Sequence, residues 1–199
     1  MSKIAFLILD FQNDQCHEDG VFFKNGLFSK NIPKIYPNIC KVANFCKENK
    51  LPIIAMQLTI LENSLGNALG LGIHKTIRPF LEKEGLRFGS WGHDLVDGLP
   101  KVDFNIKRFT ISSFYQTELE RHLNALDIDE IVLCGFTTNG IVETTAREAV
   151  GRNYLVTTLT DCTASYSDAL HESSLSNLSS FGKILTSEKW IENYKNLKE

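Results

Sequence analysis

Apolar residues follow two rhythms along this chain. Short runs that are apolar throughout alternate with longer stretches in which apolar side chains recur every three or four positions. The run Ile4-Ala-Phe-Leu-Ile-Leu9 has no polar break, the pattern of a parallel strand buried on both faces. Residues 52–56, 102–106, 131–133 and 154–158 also read as strands. Ile35, Ile39, Val42, Ala43, Phe45 and Cys46 fall at helical spacing, and 117–126, 142–150 and 169–181 are further helices. This β-α-β order predicts a three-layer α/β/α sandwich around a mostly parallel sheet, with residues 1–199 as one domain.

Residues 58–100 break the rhythm. They are polar and carry Gly85, Gly89, Gly92 and Gly98, a length and composition expected of a functional lid or an oligomer contact. Elsewhere there is no internal repeat, low-complexity tract or interdomain linker. Composition narrows the function classes rather than choosing among them. Apolar residues make up 43% and charged residues 23% of 199, ordinary values for a globular protein. The net charge of −3 comes with scattered Lys and Arg, so nucleic-acid binding has no electrostatic support. No apolar run reaches membrane-spanning length, and the first strand begins too early to leave room for a signal peptide. The five cysteines (16, 40, 46, 134 and 162) lack CxxC spacing, which suggests reduced thiols in a cytoplasmic setting.

Open α/β sheets bind ligands at the carboxyl ends of their strands. Asp10 follows the first strand, Lys107 another, and Gly135–Asn139 runs from a third strand into a helix. A carboxylate, an ammonium and a helix N-terminus are thus expected on one side of the sheet. Each has a plainer reading: an aspartate after a strand often serves only a turn, and a lone lysine is often a solvated charge.

Four motifs in order change that balance. Val132-Leu-Cys-Gly-Phe-Thr-Thr-Asn-Gly-Ile-Val-Glu-Thr-Thr-Ala-Arg147 resembles the nucleophile loop of isochorismatase-like cysteine hydrolases, Gly-x-x-Thr-Asn-x-Cys-Val-Glu-x-Thr-Ala-Arg. Ile8-Leu-Asp10-Phe-Gln-Asn-Asp14 resembles that family's opening motif. Lys107-Arg-Phe-Thr-Ile-Ser-Ser-Phe114-Tyr-Gln-Thr117-x-Leu119 is similar, with small spacing differences, to its lysine segment Lys-x-x-x-Ser-x-Phe-x-x-Thr-x-Leu. Asp161-Cys-Thr-Ala-Ser165 with His171-Glu172, and Gly89-Ser-Trp91-Gly-His-Asp-Leu95, resemble further segments. The resemblance implies a hydrolase site in which Asp10 is the general acid/base and Lys107 its cationic partner. It also implies oxyanion donors at the Thr137 and Ile141 amides, beside a cis Phe136–Thr137 peptide. Gln12, Trp91, Phe114, Tyr115 and Thr138 are candidate pocket residues. A small-molecule substrate and a homo-oligomer are expected, without nucleic acid or membrane.

One position departs from the pattern. Counting from Gly135 without a gap puts Ile141 where the family has its nucleophilic cysteine, and isoleucine can form no acyl-enzyme. A one-residue shift would bring Gly140 there, as in the glycine-bearing isochorismatases, but would put Thr138-Asn139 and Val142-Glu143 out of register. Cys134 and Cys162 read as small buried hydrophobes, and no base is placed beside Cys16. The aspartate and histidines of a nicotinamidase metal site are missing after the second strand. Histidines 17, 74, 93, 122 and 171 lack HxH or HExxH spacing and read as surface or capping residues; no metal or cofactor is implied. Thiol-dependent amidase activity is therefore expected to be absent. Two readings stay open: cysteine-independent hydrolysis of a small metabolite through Asp10 and Lys107, or a pseudoenzyme that binds a small molecule or a partner protein.

Overall fold

The computed structural model describes residues 3–197. Strands β1 (Ile4–Leu9), β2 (Ile53–Leu58), β5 (Phe104–Arg108), β6 (Glu130–Phe136), β7 (Leu155–Ala164) and β8 (Lys183–Leu185) form one sheet in the order β5-β2-β1-β6-β7-β8. Every neighbouring pair in it is parallel. Two short strands, β3 (Leu61–Glu62) and β4 (Ala68–Leu69), pair separately as a hairpin. The helices are α1 (Asn13–Cys16), α2 (Val21–Lys24), α3 (Ile32–Glu48), α4 (His74–Ile77), α5 (Leu119–Ala125), α6 (Glu143–Val150), α7 (Asp168–Leu178) and α8 (Ser187–Asn196).

The alternation of β1 explains the layers. Phe6 and Ile8 point to one face and pack with Ile35, Ile39 and Val42 of α3 and Trp190 of α8. Ala5, Leu7 and Leu9 point to the other and pack with Leu119, Leu123, Ala146 and Leu178 from α5, α6 and α7. Because both faces are covered, the strand has no place for a polar residue, which is why its sequence reads as an unbroken apolar run. The expected sandwich and parallel sheet are therefore present. Residues 58–100 wrap the carboxyl end of the sheet over a third apolar cluster containing Phe22, Leu58, Ile60, Leu81 and Leu86.

Strand order reverses at β1: β2 and β5 lie on one side of it and β6, β7 and β8 on the other. The chain segments leaving β1 and β6 consequently part company at their carboxyl ends and open a crevice there. Gly135 sits at this junction with φ +122°, and a Cβ on it would lie 2.0 Å from the Leu9 carbonyl oxygen. Only glycine lets the two strands approach so closely beside Asp10.

Two boundaries differ from expectation in ways that matter. The strand expected over 102–106 runs instead over Phe104–Arg108, which places residues 107 and 108 inside the pleat. The strand expected over 154–158 extends to Ala164 after a register shift opposite Leu133/Gly135. In addition, β8 and α8 complete the sheet edge and cover one face, where the apolar pattern suggested no elements.

Candidate functional site

Asp10 leaves β1 in a left-handed turn (φ 51°), with its N–H donating to the Met56 carbonyl at 3.0 Å. Its side chain is buried, and its partner is a surprise. Arg108 engages both carboxylate oxygens: Nε donates to Oδ1 at 3.0 Å and Nη2 to Oδ2. Arg108 also donates to the Thr110 carbonyl and is only 2% exposed. The pairing expected between Asp10 and Lys107 is corrected accordingly. Successive residues of a strand face opposite sides. Ile106 and Arg108 turn inward, while Lys107 turns out to solvent and lays its Nζ 3.4 Å from the centre of the Phe88 ring. The spacing carried the signal, since counting back from Ser112, Phe114, Thr117 and Leu119 through Lys-x-x-x-Ser-x-Phe-x-x-Thr-x-Leu lands on Arg108 without a gap.

The loop after β6 keeps the expected backbone. The Phe136–Thr137 peptide is cis, and Thr138–Val142 forms a wide π turn in which the Val142 N–H reaches the Thr137 carbonyl at 3.2 Å. Polar contacts fix it from outside: Thr138 Oγ1 lies 2.8 Å from His171 Nδ1. Ser174 Oγ donates to the Thr138 carbonyl at 3.2 Å and lies 2.5 Å from a Glu143 carboxylate oxygen. The Asn139 N–H donates to Ser165 Oγ at 3.3 Å. Ile141 itself is 3% exposed and belongs to the apolar cluster under α5 and α6.

Asp10, Arg108, Thr137, Gly140 and Ile141 line a cavity of ≈ 80 Å³ together with Gln15, Phe22, Leu58, His74, Ile77, Arg78, Ile111 and Tyr166. The pocket residues expected from sequence lie elsewhere. Gln12 is a strut, bridging the Leu58 backbone and the His93 carbonyl. Phe114 packs in the core against Tyr154, Trp91 stands edge-on to His17 at 44% exposed, and Tyr115 is exposed. Thr138 is buried but bonds to His171 rather than facing the cavity. In place of the expected aromatics, α4 and the residue after it supply His74 and Arg78.

His74 contradicts its reading as a surface or capping residue. It is 5% exposed, and neither ring nitrogen has a hydrogen-bond partner. Burial, and then the charges of Arg108 and Arg78, push its pKa down to about 4, so the ring is neutral at pH 7. His93 is also buried, with Nε2 2.9 Å from Thr59 Oγ1, and burial lowers its pKa as well.

No other thiol takes over the role of position 141. Burial pushes the Cys16 thiol well up, and the charge of Asp10 pushes it further the same way. Cys134 and Cys162 are buried and likewise shifted well up, chiefly by burial. A thiolate needs a neighbouring cation or helix N-terminus, and these sites supply desolvation instead. No group of histidine, cysteine and carboxylate side chains suited to a metal ion occurs among the described residues. A larger groove of ≈ 740 Å³, lined by Lys3, Ile4, Pro52, Asp103 and Ile128 among others, lies at the amino ends of the strands, away from these groups.

Comparison with known proteins agrees with this fold. Residues 4–189 match the family model described as the isochorismatase domain. The chain is 38% identical to nicotinamidase 3 of Arabidopsis thaliana over 182 residues, covering 89% of this chain and 81% of that protein. It is 26% identical over 194 residues, 94% of each, to an Arabidopsis thaliana protein described as a probable inactive nicotinamidase. Among solved structures, an isochorismatase-like hydrolase from Alkaliphilus metalliredigens superimposes with TM-score 0.80 at 27% identity, covering 97% of this chain and 98% of that one. The chain belongs to the isochorismatase family, with Ile141 standing where the nucleophile loop calls for cysteine.

Proposed function

We propose that this chain is a pseudoenzyme of the family that binds a small molecule at the end of β1 and does not hydrolyse it. The carrying observation is the state of both halves of the expected machinery. Ile141 offers no nucleophile, and Arg108 holds both oxygens of Asp10 in a bidentate pair. A carboxylate serves as a general base through a free lone pair aimed at the proton it removes. A guanidinium fork takes a lone pair on each oxygen and fixes the plane of the carboxylate, whereas the point charge of an ammonium leaves one oxygen without a cationic partner.

A second reading, cysteine-independent hydrolysis, draws support from the neutral, unpartnered imidazole of His74 in the same cavity as Asp10. One experiment separates them. Wild type and Asp10→Asn are incubated with a panel that includes nicotinamide and ureido acids, following both melting temperature and product. The binding reading expects a stabilised wild type with no product. Product that disappears in Asp10→Asn would establish the hydrolase reading in its place.

The expected assembly is a homo-oligomer. The β3–β4 hairpin presents Leu61, Leu65 and Leu69 to solvent, with Leu65 82% exposed, an apolar set suited to cover by a second copy. A monomer in sedimentation at micromolar concentration would refute it.

A further inference from the structure

We propose that the cavity between Arg78, His74 and Ile141 is a site for one compact carboxylate of about two to four carbons, with Arg78 as its counter-ion. This rests on the binding reading above and names the ligand class of that site.

Three observations support the assignment. The first is charge. Two guanidiniums, Arg78 and Arg108, line the cavity with a single carboxylate, Asp10, and Arg108 consumes both oxygens of that carboxylate. Among the described residues Arg78 has no ion pair; its guanidinium donates to the neighbouring Ile77 carbonyl at 2.8 Å and lies 5.6 Å from the centre of the Tyr166 ring. One positive charge in the lining is therefore left without an anion. The second is the His74 ring, nine-tenths or more buried, lining the cavity and unpartnered at both nitrogens. Buried polar groups are nearly always paired, so an orphaned imidazole marks the place of an absent partner. As a neutral ring it offers one N–H donor and one acceptor. A cation is disfavoured there because two guanidiniums flank the imidazole. The third is size and lining. A volume of ≈ 80 Å³ admits only a few heavy atoms, and Ile141, Ile111, Leu58 and Phe22 make the wall apolar. A carboxylate held by Arg78 and His74, with a short alkyl tail against Ile141, satisfies all three.

Propionate is the probe, with propionamide as its neutral isostere and inorganic phosphate as a non-carboxylate anion. Binding is read by thermal shift and by the His74 ring resonances, assigned with His74→Gln. The expected result is saturable stabilisation by propionate with movement of the His74 resonances, and neither effect with propionamide or phosphate. Arg78→Gln, at a half-buried position without an ion pair, should fold and lose at least about tenfold in propionate affinity. Arg78→Lys should recover part of it as a point charge. Phosphate binding as well as propionate would overturn the carboxylate assignment. Propionamide binding without propionate would overturn it while leaving the binding reading intact. Hydrolysis of propionamide would instead overturn the binding reading. Propionate binding unchanged in Arg78→Gln, or no response to any probe, would show that the His74 nitrogens and Arg78 are met by water alone, and the proposal fails.

Discussion

The two sides of the crevice depart from the family pattern in opposite ways. On the β6 side the backbone is retained and the reactive side chain is gone. The cis peptide, the π turn and the contacts from His171, Ser165 and Ser174 are all in place around an isoleucine. On the β1 side the carboxylate is retained, but its partner is arginine rather than lysine and lies one residue later than the lysine first aligned with the motif. The loop's geometry is thus held by hydrogen bonds that never involve side chain 141. On the Asp10 side the backbone is held by Met56 and the guanidinium also by the Thr110 carbonyl, but the carboxylate itself is held by the ion pair. The two sides should therefore fail differently under mutation.

The largest effect is expected at the ion pair. Asp10 and Arg108 are 3% and 2% exposed, and removing one partner strands the other charge in the interior. Arg108→Ala or Asp10→Ala should each lose about 3–5 kcal/mol in urea unfolding, while Asp10→Leu/Arg108→Leu together should lose much less. If the double variant loses as much as the two single ones added, the pair is not an isolated unit and the contrast between the two sides collapses.

Next comes the titration of His74. Its folded pKa of about 4 lies below the ordinary histidine value, so the unfolded chain takes up a proton that the folded one refuses. The associated stability is fully present above about pH 6.5 and is lost as the pH falls toward 4. Asp10, Arg78, Arg108 and Tyr166 face the same cavity, and the two guanidiniums act in the direction of the shift. The loss should be on the order of 2 kcal/mol, measured as the difference between wild type and His74→Gln in chemical unfolding at pH 7 and pH 4.5. Parallel curves for the two proteins would mean that His74 is not held neutral by its surroundings.

Much of this arrangement was legible beforehand, and what escaped has physical causes. Ile4–Leu9 betrays itself because a doubly covered strand admits only apolar side chains, and Ile141 because its neighbours on both sides keep the motif in register. Arg108 escaped because lysine is the expected residue type and one stands next door; the pleat, together with the spacing to Ser112 and Phe114, decides between them. His74 and Arg78 gave no signal. His74 opens a four-residue helix within 58–100 and Arg78 is the residue that follows it, where neither a helical nor a strand period repeats long enough to reveal which side chains turn inward. The strand Lys183–Leu185 is too short for alternation to register.

On the loop side the expected effects are smaller because each contact is one of several. Ser174→Ala removes the one hydroxyl that lies between the Thr138 carbonyl and the Glu143 carboxylate, and should destabilise by about 1–2 kcal/mol. Thr138→Val, which strands His171 Nδ1, should fall in the same range or below. A loss as large as that of Arg108→Ala in either variant would mean that the loop depends on one contact rather than a set.

The smallest signal is the most diagnostic, and it sets the two sides against each other in one protein. Ile141→Cys places a thiol in the first turn leading to α6, where backbone N–H groups favour the thiolate, so iodoacetamide should label it. Nicotinamide hydrolysis should still be undetectable, because Arg108 continues to engage both oxygens of Asp10, and a carboxylate tied in this way is a poor proton shuttle between thiol and leaving group. Ile141→Cys/Arg108→Lys replaces the fork with a point charge, frees one oxygen, and should show slow turnover that Asp10→Asn abolishes. Turnover by Ile141→Cys alone would locate the block entirely in the missing sulfur. A double variant that is folded and alkylated yet inert would locate it in the ≈ 80 Å³ of space left beside position 141.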